Sequence, residues 1–240
     1  MMRILLLAGL LAGSSLSQAN LLQQGYQARY AVTRDGLPLG QSIRVLRPLD
    51  ASHWSFESHT HPTGLAAVFF DDVIDEHSRL QLQDGLVVPL AYSYDQHGGR
   101  KTKAYALHFD WAASRIEFTH SGGQLPLPPG TQDPLSFLVV VMQRLMRGDQ
   151  DFQLTIAGRN KLRDYRVRAT EQVDMDTILG RQAVVRVEAE EIGKDTRYDL
   201  WCLRDRNYLP LRIRQVRGKQ TTDLRLREFT SPPPPAVTQP

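Results

Sequence analysis

Two histidines separated by one residue are the side chains of this sequence with the clearest capacity for metal chemistry. His59 and His61 would project from the same face of a β-strand, with His53 upstream and His77 downstream. A catalytic zinc ion needs a third protein ligand, and the sequence contains no HExxH motif and no paired cysteines. We therefore interpret these histidines as surface or loop residues and predict neither a metal site nor a cofactor.

The densest acidic segment comprises Asp71, Asp72, Asp75 and Glu76. Two carboxylates held across a cleft can serve a glycosidase as acid and base. Neighbouring strand residues point to opposite faces, which separates each adjacent pair, although Asp71 and Asp75 could share one face. The sequence has no GxSxG, P-loop or GxGxxG motif. Solvated strand carboxylates are the preferred interpretation, and we predict no catalytic residues.

Four arginines near the C-terminus alternate with apolar residues. The alternation places Arg212, Arg214, Arg225 and Arg227 on the polar faces of two strands. If these strands pair through a turn at 217–220, their guanidinium groups form a cluster that could bind lipid phosphates or sugars. A solvated outer face also needs charged residues, and we prefer that interpretation.

Aromatic residues alternate in the same way along two earlier runs. Tyr92 and Tyr94 share a face of one strand, and Tyr105 and Phe109 share a face of the next, with a turn at 97–99 between them. We interpret these residues first as core aromatics and second as the lining of a ligand pocket.

Residues 134–147 carry the signals of one apolar helix, with Asp133 as its capping residue. Because nearly every side of this helix is apolar, it requires cover on most of its circumference, and we expect it to pack into the concave face of a sheet. Phe137 and Val140 would then border a ligand held between helix and sheet. A buried strand over 137–142 is the alternative, since three consecutive valines favour extended structure.

Short runs with period-two alternation dominate the rest of the chain. They predict a mainly β fold over residues 20–230: a curved antiparallel sheet or open β-barrel wrapped around one buried apolar helix. A long meander over 25–120 would precede the helix, and C-terminal strands over 151–229 would follow it. The apolar run 64–70 is compatible with a helical turn, a bulged strand or a flap.

The first nineteen residues predict a secretory signal peptide. Arg3 supplies the positive charge, residues 4–11 form a short apolar core, and residues 17–19 form the cleavage site. Ser14 stands where a lipoprotein would carry its lipid-accepting cysteine. We therefore predict export to the periplasm with cleavage after Ala19 and without lipidation.

The remaining chain has the composition of a globular protein, with 41% hydrophobic and 23% charged residues overall. The formal net charge of +3 falls to +2 when Arg3 is removed, which argues against a nucleic-acid partner. No stretch after residue 20 is apolar for long enough to cross a bilayer. Cys202 is the only cysteine, so no intramolecular disulfide is available. The proline-rich residues 231–240 predict a disordered tail.

Four short motifs are distributed along the chain: Tyr30–Gly40 (YAVTRDGLPLG), Phe109–Trp111 (FDW), Gln132–Ser136 (QDPLS) and Tyr208–Ile213 (YLPLRI). Together they resemble a bacterial envelope family known as domain of unknown function 3108, over essentially the whole mature chain. The resemblance implies a secreted or periplasmic all-β protein and supplies no catalytic residues.

These features favour a non-catalytic binding or assembly protein for cell-envelope components, holding a lipid or another apolar or amphipathic ligand. A structural adaptor for another envelope protein is the alternative, and a polysaccharide hydrolase is the least favoured. An apolar ligand that co-purifies with the protein would distinguish the first function from the other two.

Overall fold

The computed structural model describes residues 21–99, 102–119 and 121–234. The predicted signal peptide and the last six residues of the predicted tail lie outside these ranges. Within them the fourteen strands are β1 Tyr26–Arg34, β2 Leu37–Pro48, β3 His53–Pro62, β4 Val73–Gln83, β5 Leu86–His97, β6 Lys103–Asp110, β7 Arg115–Phe118, β8 Gln124–Pro126, β9 Asp151–Ala157, β10 Leu162–Thr177, β11 Gly180–Glu191, β12 Thr196–Leu203, β13 Leu209–Arg217 and β14 Gln220–Thr230. The α-helices described are α1 Leu21–Gln24, α2 Ala66–Phe69 and α3 Ser136–Met146, and Arg204–Arg206 form a 3₁₀ turn.

The strands form one antiparallel sheet in the order β8-β7-β6-β5-β4-β3-β2-β1-β14-β13-β12-β11-β10-β9. Two meanders therefore run outward from the centre, where the first strand pairs with the last. The edges β8 and β9 do not pair with each other, so the sheet is not closed. The predicted mainly β, antiparallel class is confirmed.

Two Asp-Gly pairs make the tightest reversals of the N-terminal meander. Asp35 and Gly36 have φ angles of 51° and 83°, and Asp84 and Gly85 have φ angles of 51° and 74°. Each pair joins two strands through a two-residue loop, and positive φ at both positions matches the right-handed twist of the flanking strands. These local signals fix the ends of β1, β2, β4 and β5.

Strand β1 shows how alternation builds the core. Tyr26, Ala28, Tyr30 and Val32 are buried, and the residues between them are half-buried. We call the sheet face that carries these four residues and their register partners the inner face, and the opposite face the outer face. The buried inner-face side chains and α3 belong to one hydrophobic cluster.

The predicted apolar helix is present as α3, which is shorter than the predicted span by two residues at its start and one at its end. Asp133 accepts hydrogen bonds from the backbone N–H groups of Leu135 and Ser136, both at 2.8 Å. These contacts hold the turn that leads into the helix. Nine of the eleven α3 residues are buried. The alternative strand over 137–142 is wrong.

Two one-turn helices, α1 and α2, accompany α3. α2 lies inside the apolar run that the sequence left open. No helix among the described residues is long and apolar enough to cross a membrane. Of the predicted tail, Ser231 donates from its hydroxyl to the Gly25 carbonyl at 2.8 Å, and the Pro234 carbonyl accepts from Arg47.

Candidate functional site

A cavity of about 690 Å³ opens at one end of the inner face. The β1–β2 hairpin, parts of β3, β4 and β5, and α2 with its flanking residues form its walls, and β13 and β14 contribute Gln215 and Leu224. Most of the lining is apolar and includes Leu39, Phe69 and Ile74. A cavity of this size, with mainly apolar walls and several polar side chains among them, can hold a small molecule.

The wall formed by α2 exposes large apolar side chains. Leu65, Val68 and Phe69 are 84%, 74% and 78% exposed, and Phe70 is 49% exposed. The Phe70 N–H donates to the Ala66 carbonyl at 2.9 Å and closes a single helical turn, in which no residue is buried. Grouped apolar side chains of this size mark ligand or partner sites. A helical turn without a buried anchor also opens at little free-energy cost.

Two charged inner-face residues line the cavity with different local partners. Arg44 and Glu76 lie on either side of Ser58 in the strand register. The Tyr92 hydroxyl donates to Glu76 Oε1 at 2.6 Å. The Arg44 guanidinium lies 5.7 Å from the centroid of the Tyr30 ring, and its Nε and Nη1 atoms are buried with no hydrogen-bond partner among the described residues. The carboxylate is engaged, whereas the guanidinium has unused donors.

Tyr94 is the predicted ligand residue that lines the cavity, and Tyr105 stacks on it with ring centroids 5.2 Å apart. Lys103 Nζ lies 5.0 Å from the Tyr94 centroid, within reach of a cation–π interaction. Burial raises the pKa of Tyr94 to about 12 and the pKa of Tyr105 to about 12. Both phenols are therefore neutral at physiological pH and present aromatic surface with a polar edge.

The other predicted aromatic and helix residues lie in the packed core. Tyr92, Phe109 and Phe137 are 1%, 2% and 2% exposed, and Val140 is 6% exposed. None of these four lines the cavity. Of these six predicted residues, Tyr94 lines the cavity, Tyr105 stacks on Tyr94, and the other four pack in the core.

Three of the four predicted arginines cluster on the outer face around one carboxylate. Arg212 Nε donates to both Asp223 carboxylate oxygens at 2.9 and 3.0 Å, and Arg214 and Arg225 lie 3.4 and 3.7 Å from the same carboxylate. Burial alone would raise the pKa of Asp223, but the Arg212 hydrogen bonds and the neighbouring charges hold it below its usual range. Arg227 is exposed, beside a register shift between β1 and β14.

The same outer-face cluster surrounds the Trp201 ring. The Arg212, Arg214 and Arg186 guanidinium groups lie 4.5, 5.5 and 5.8 Å from the ring centroid. Gln215 follows Arg214 in β13 and lines the cavity, and neighbouring strand residues point to opposite faces. The sheet therefore separates the arginine cluster from the cavity.

His59 and His61 lie in β3, and His61 also lines the cavity. The rings of His59 and His61 are 4.8 Å apart, and His59 Nδ1 is 2.6 Å from Asp75 Oδ1. Glu76 lines the cavity, so the adjacent residues Asp75 and Glu76 lie on opposite faces of the sheet. Asp71 precedes β4 and therefore does not share a strand face with Asp75. Among the described residues, no three His, Cys, Asp or Glu side chains form a group that could hold a metal ion.

Sequence reasoning missed Arg44 as a site residue. The apolar residues Ile43 and Val45 suggest that they face inward and that Arg44 between them faces outward. The structure shows the opposite, because Ser42 and Leu46, on the same face as Arg44, are buried. The apolar run that contains α2 and the aromatic residue Tyr94 were the signals in the sequence that pointed to the cavity.

Comparison with known proteins identifies the family. Over residues 26–226 the sequence matches the family model described as "Protein of unknown function (DUF3108)". The chain belongs to this family. The resemblance carried by the four DUF3108-like motifs is thereby confirmed. No curated protein matches the chain.

The fold of this DUF3108 chain is similar to a solved structure with a related description. That structure is the crystal structure of a beta-barrel-like protein of domain of unknown function DUF1849 from Brucella abortus. It matches with a TM-score of 0.58 and 12% sequence identity, covering 87% of this chain and 98% of the other. At this identity the similarity concerns the fold alone.

Proposed function

We propose that this chain is a non-catalytic periplasmic binding or assembly protein that holds an apolar or amphipathic envelope ligand, such as a lipid. The observation that carries the proposal is the cavity of about 690 Å³ beside α2. Its apolar lining can remove a hydrocarbon chain from water, which favours binding in proportion to the buried area. The proposed ligand site is thus between the sheet and α2, because no α3 residue lines the cavity.

A sheet curved around α3 is part of the same proposal. Gln143 of α3 accepts a hydrogen bond from the Val87 N–H at 3.3 Å, in the N-terminal meander. The Phe137 ring lies 6.4 Å from Tyr165 and 5.7 Å from Tyr198, in the C-terminal strands. One helix that touches both meanders supports a curved sheet, and curvature of the inner face would shelter a ligand at its open end.

The periplasmic location rests on the predicted signal peptide. We expect the mature protein to begin at Asn20 and to carry no acyl group, because Ser14 replaces the cysteine that lipidation requires. The intact mass of protein exported by a bacterial host measures both properties. A membrane-retained species with the signal still attached, or a mass increased by acyl chains, would contradict this location.

Ligand binding can be tested with N-phenyl-1-naphthylamine, an uncharged dye that fluoresces in apolar surroundings. We expect saturable binding to the wild-type protein and affinity about tenfold or more lower in Phe69→Ser, since the aromatic contact between Phe69 and the dye is removed. Ala66→Trp should also block binding by filling the cavity. Ile192→Ser is the matched control, because Ile192 is 53% exposed and does not line the cavity.

All of these substitutions except Ala66→Trp remove exposed or half-exposed apolar surface and should leave thermal unfolding unchanged. Absence of saturable dye binding to the wild-type protein would contradict the proposal. Equal loss of affinity in Phe69→Ser and Ile192→Ser would place the dye on general surface and contradict it as well.

The exposed residues of α2 also favour a second candidate, a structural adaptor that docks another envelope protein. Val68 is 74% exposed and does not line the cavity, whereas Phe69 does. A partner protein would contact both side chains, so Val68→Ser would weaken its capture. A ligand inside the cavity would depend on Phe69 and not on Val68.

A further inference from the structure

Arg44 differs from the other half-buried arginines of the described chain that have a buried nitrogen without a hydrogen-bond partner. Arg29, Arg144, Arg186, Arg197 and Arg214 also have a buried Nε without a hydrogen-bond partner. Each of these five forms an ion pair with a carboxylate. Among the described residues Arg44 has no such ion pair, and two of its nitrogens are buried without a partner.

The groups around Arg44 do not neutralise its charge. Tyr30 offers its ring face, while the Tyr30 hydroxyl donates to the Pro210 carbonyl at 2.9 Å. Ser58 stands opposite Arg44 in the register, is 2% exposed, and its hydroxyl also has no hydrogen-bond partner among the described residues. Directly opposed strand residues have Cβ atoms about 5 Å apart. Two unused donor groups therefore lie side by side on the inner face.

The carboxylates of the cavity wall are engaged elsewhere. Glu76 Oε1 accepts from Tyr92, Asp72 Oδ1 accepts from the Gln96 amide at 2.9 Å, and Asp35 Oδ1 accepts from a backbone N–H at 2.8 Å. A guanidinium removed from water without an anionic partner is unfavourable, and an oxyanion that binds two of its N–H groups relieves this cost. Among the described residues, none of these three carboxylates forms an ion pair with Arg44.

We propose that Arg44 binds the anionic group of a single-chain amphiphile whose hydrocarbon chain lies along the apolar cavity wall. This inference rests on the proposed binding function and names the ligand class. The shared chemistry is a terminal oxyanion, either the carboxylate of a fatty acid or the phosphate of a monoacyl or alkyl phosphate. A cavity of about 690 Å³ fits a ligand of drug-like size, which favours one chain over two.

The test is displacement of N-phenyl-1-naphthylamine from the mature protein by dodecanoate, dodecyl phosphate and dodecanol, which share one chain length. We expect at least one of the two anions to bind about tenfold more tightly than dodecanol, because a charge-assisted hydrogen bond is added. Preference for dodecanoate identifies a carboxylate ligand, preference for dodecyl phosphate a phosphate ligand, and equal binding of both an oxyanion site without selectivity.

Arg44→Gln should abolish the preference for anions and leave the affinities for the dye and for dodecanol unchanged. Arg34→Gln is the matched control, because Arg34 also lines the cavity but is exposed. The anion preference of the wild-type protein should persist at high salt, since a buried pair is screened less than an exposed one. Thermal unfolding of Arg44→Gln should occur at the wild-type temperature or above it, because an unpaired buried charge is removed.

The outcomes separate this inference from the binding function. If the wild-type protein binds neither the dye nor any of the three amphiphiles, the binding function fails. If the dye and dodecanol bind and both anions bind no better than dodecanol, the binding function stands and the role of Arg44 is wrong. Loss of the anion preference in Arg34→Gln instead of Arg44→Gln, or a clearly lower unfolding temperature of Arg44→Gln, would also overturn it.

Discussion

α3 and α2 belong to the same chain and contact the same sheet, but α3 buries nine of its eleven residues and α2 buries none. At α3 a buried carboxylate, Asp133, fixes the entry to the helix and accepts from the Ser78 hydroxyl at 2.5 Å. At α2 the neighbouring space is a cavity, and the apolar side chains remain exposed.

This difference separates stability from binding. Buried apolar surface and the Asp133 hydrogen bonds at the helix entry make α3 part of the cooperative core, so changes there act on the free energy of unfolding. α2 contributes little buried surface, so changes there can alter a ligand site without unfolding the protein. One part of the inner face of a large sheet can thus pack in the core while another part remains available for a ligand.

The sharpest test of the comparison introduces the same charge into both helices. Val140→Asp in α3 should lower the free energy of unfolding by about 3 kcal/mol or more, because an unpaired charge is buried. Val68→Asp in α2 should change it by less than about 0.5 kcal/mol, because Val68 is 74% exposed. Denaturant unfolding measures both values. Similar losses in the two variants would remove the distinction between the helices.

The pH dependence of stability should identify Asp133 as part of the packed region. Burial raises the pKa of Asp133 from 3.8 to about 6, so the native state holds a proton that the unfolded state has released between these values. The stabilisation is complete below pH 3.8 and is lost as pH rises through 6. The difference amounts to about 3 kcal/mol.

Asp133→Asn keeps an acceptor for the two backbone N–H groups and removes the titration. Relative to the wild-type protein, its free energy of unfolding should therefore fall less between pH 4 and pH 7. Parallel pH profiles of the two proteins in urea unfolding experiments would show that Asp133 does not titrate in this range.

Asp223 on the outer face should show the opposite pH dependence with a smaller amplitude. Its pKa lies below the usual value, because the Arg212 contacts outweigh burial. The stabilisation is present above the usual carboxyl pKa and is lost as pH falls. Asp223→Asn should cost about 1–2 kcal/mol at pH 7 and less at pH 3, as measured by denaturant unfolding. A cost that is the same at both pH values would assign the effect to packing instead of charge.

The elements that the sequence predicted well depend on local signals. Alternation in β1, the Asp-Gly loops at 35–36 and 84–85, and Asp133 before an apolar run each act within a few residues. A turn that needs positive φ favours residues such as Asp and Gly, and the start of a helix favours a residue whose side chain can accept hydrogen bonds. The mainly β fold class and the position of α3 could therefore be predicted from such local residue preferences.

The cavity depends on pairing between strands that are distant in sequence, so the sequence indicates it less clearly. β1 pairs with β14, which brings Gln215 and Leu224 to the same cavity as the β1–β2 hairpin. Arg44 points inward because its strand register aligns it with Ser58, although Ile43 and Val45 are more apolar. When apolar residues occur on both faces of a strand, the sequence of that strand alone does not determine which face points inward.

The smallest expected effect concerns the four C-terminal arginines, for which a headgroup site was the less preferred interpretation of the sequence. Arg212, Arg214 and Arg225 lie on the outer face around Asp223, and the sheet separates them from the cavity. Changing these three and Arg227 to glutamine should therefore alter the dodecanoate affinity less than about twofold, although a reduced positive field could slow association at low salt. Dye displacement at low and high salt measures both effects, with Arg44→Gln as the comparison. A loss of affinity in the fourfold variant as large as that in Arg44→Gln would show that the headgroup binds on the outer face. It would contradict the distinction between a charged outer face that serves packing and an inner face that binds the ligand.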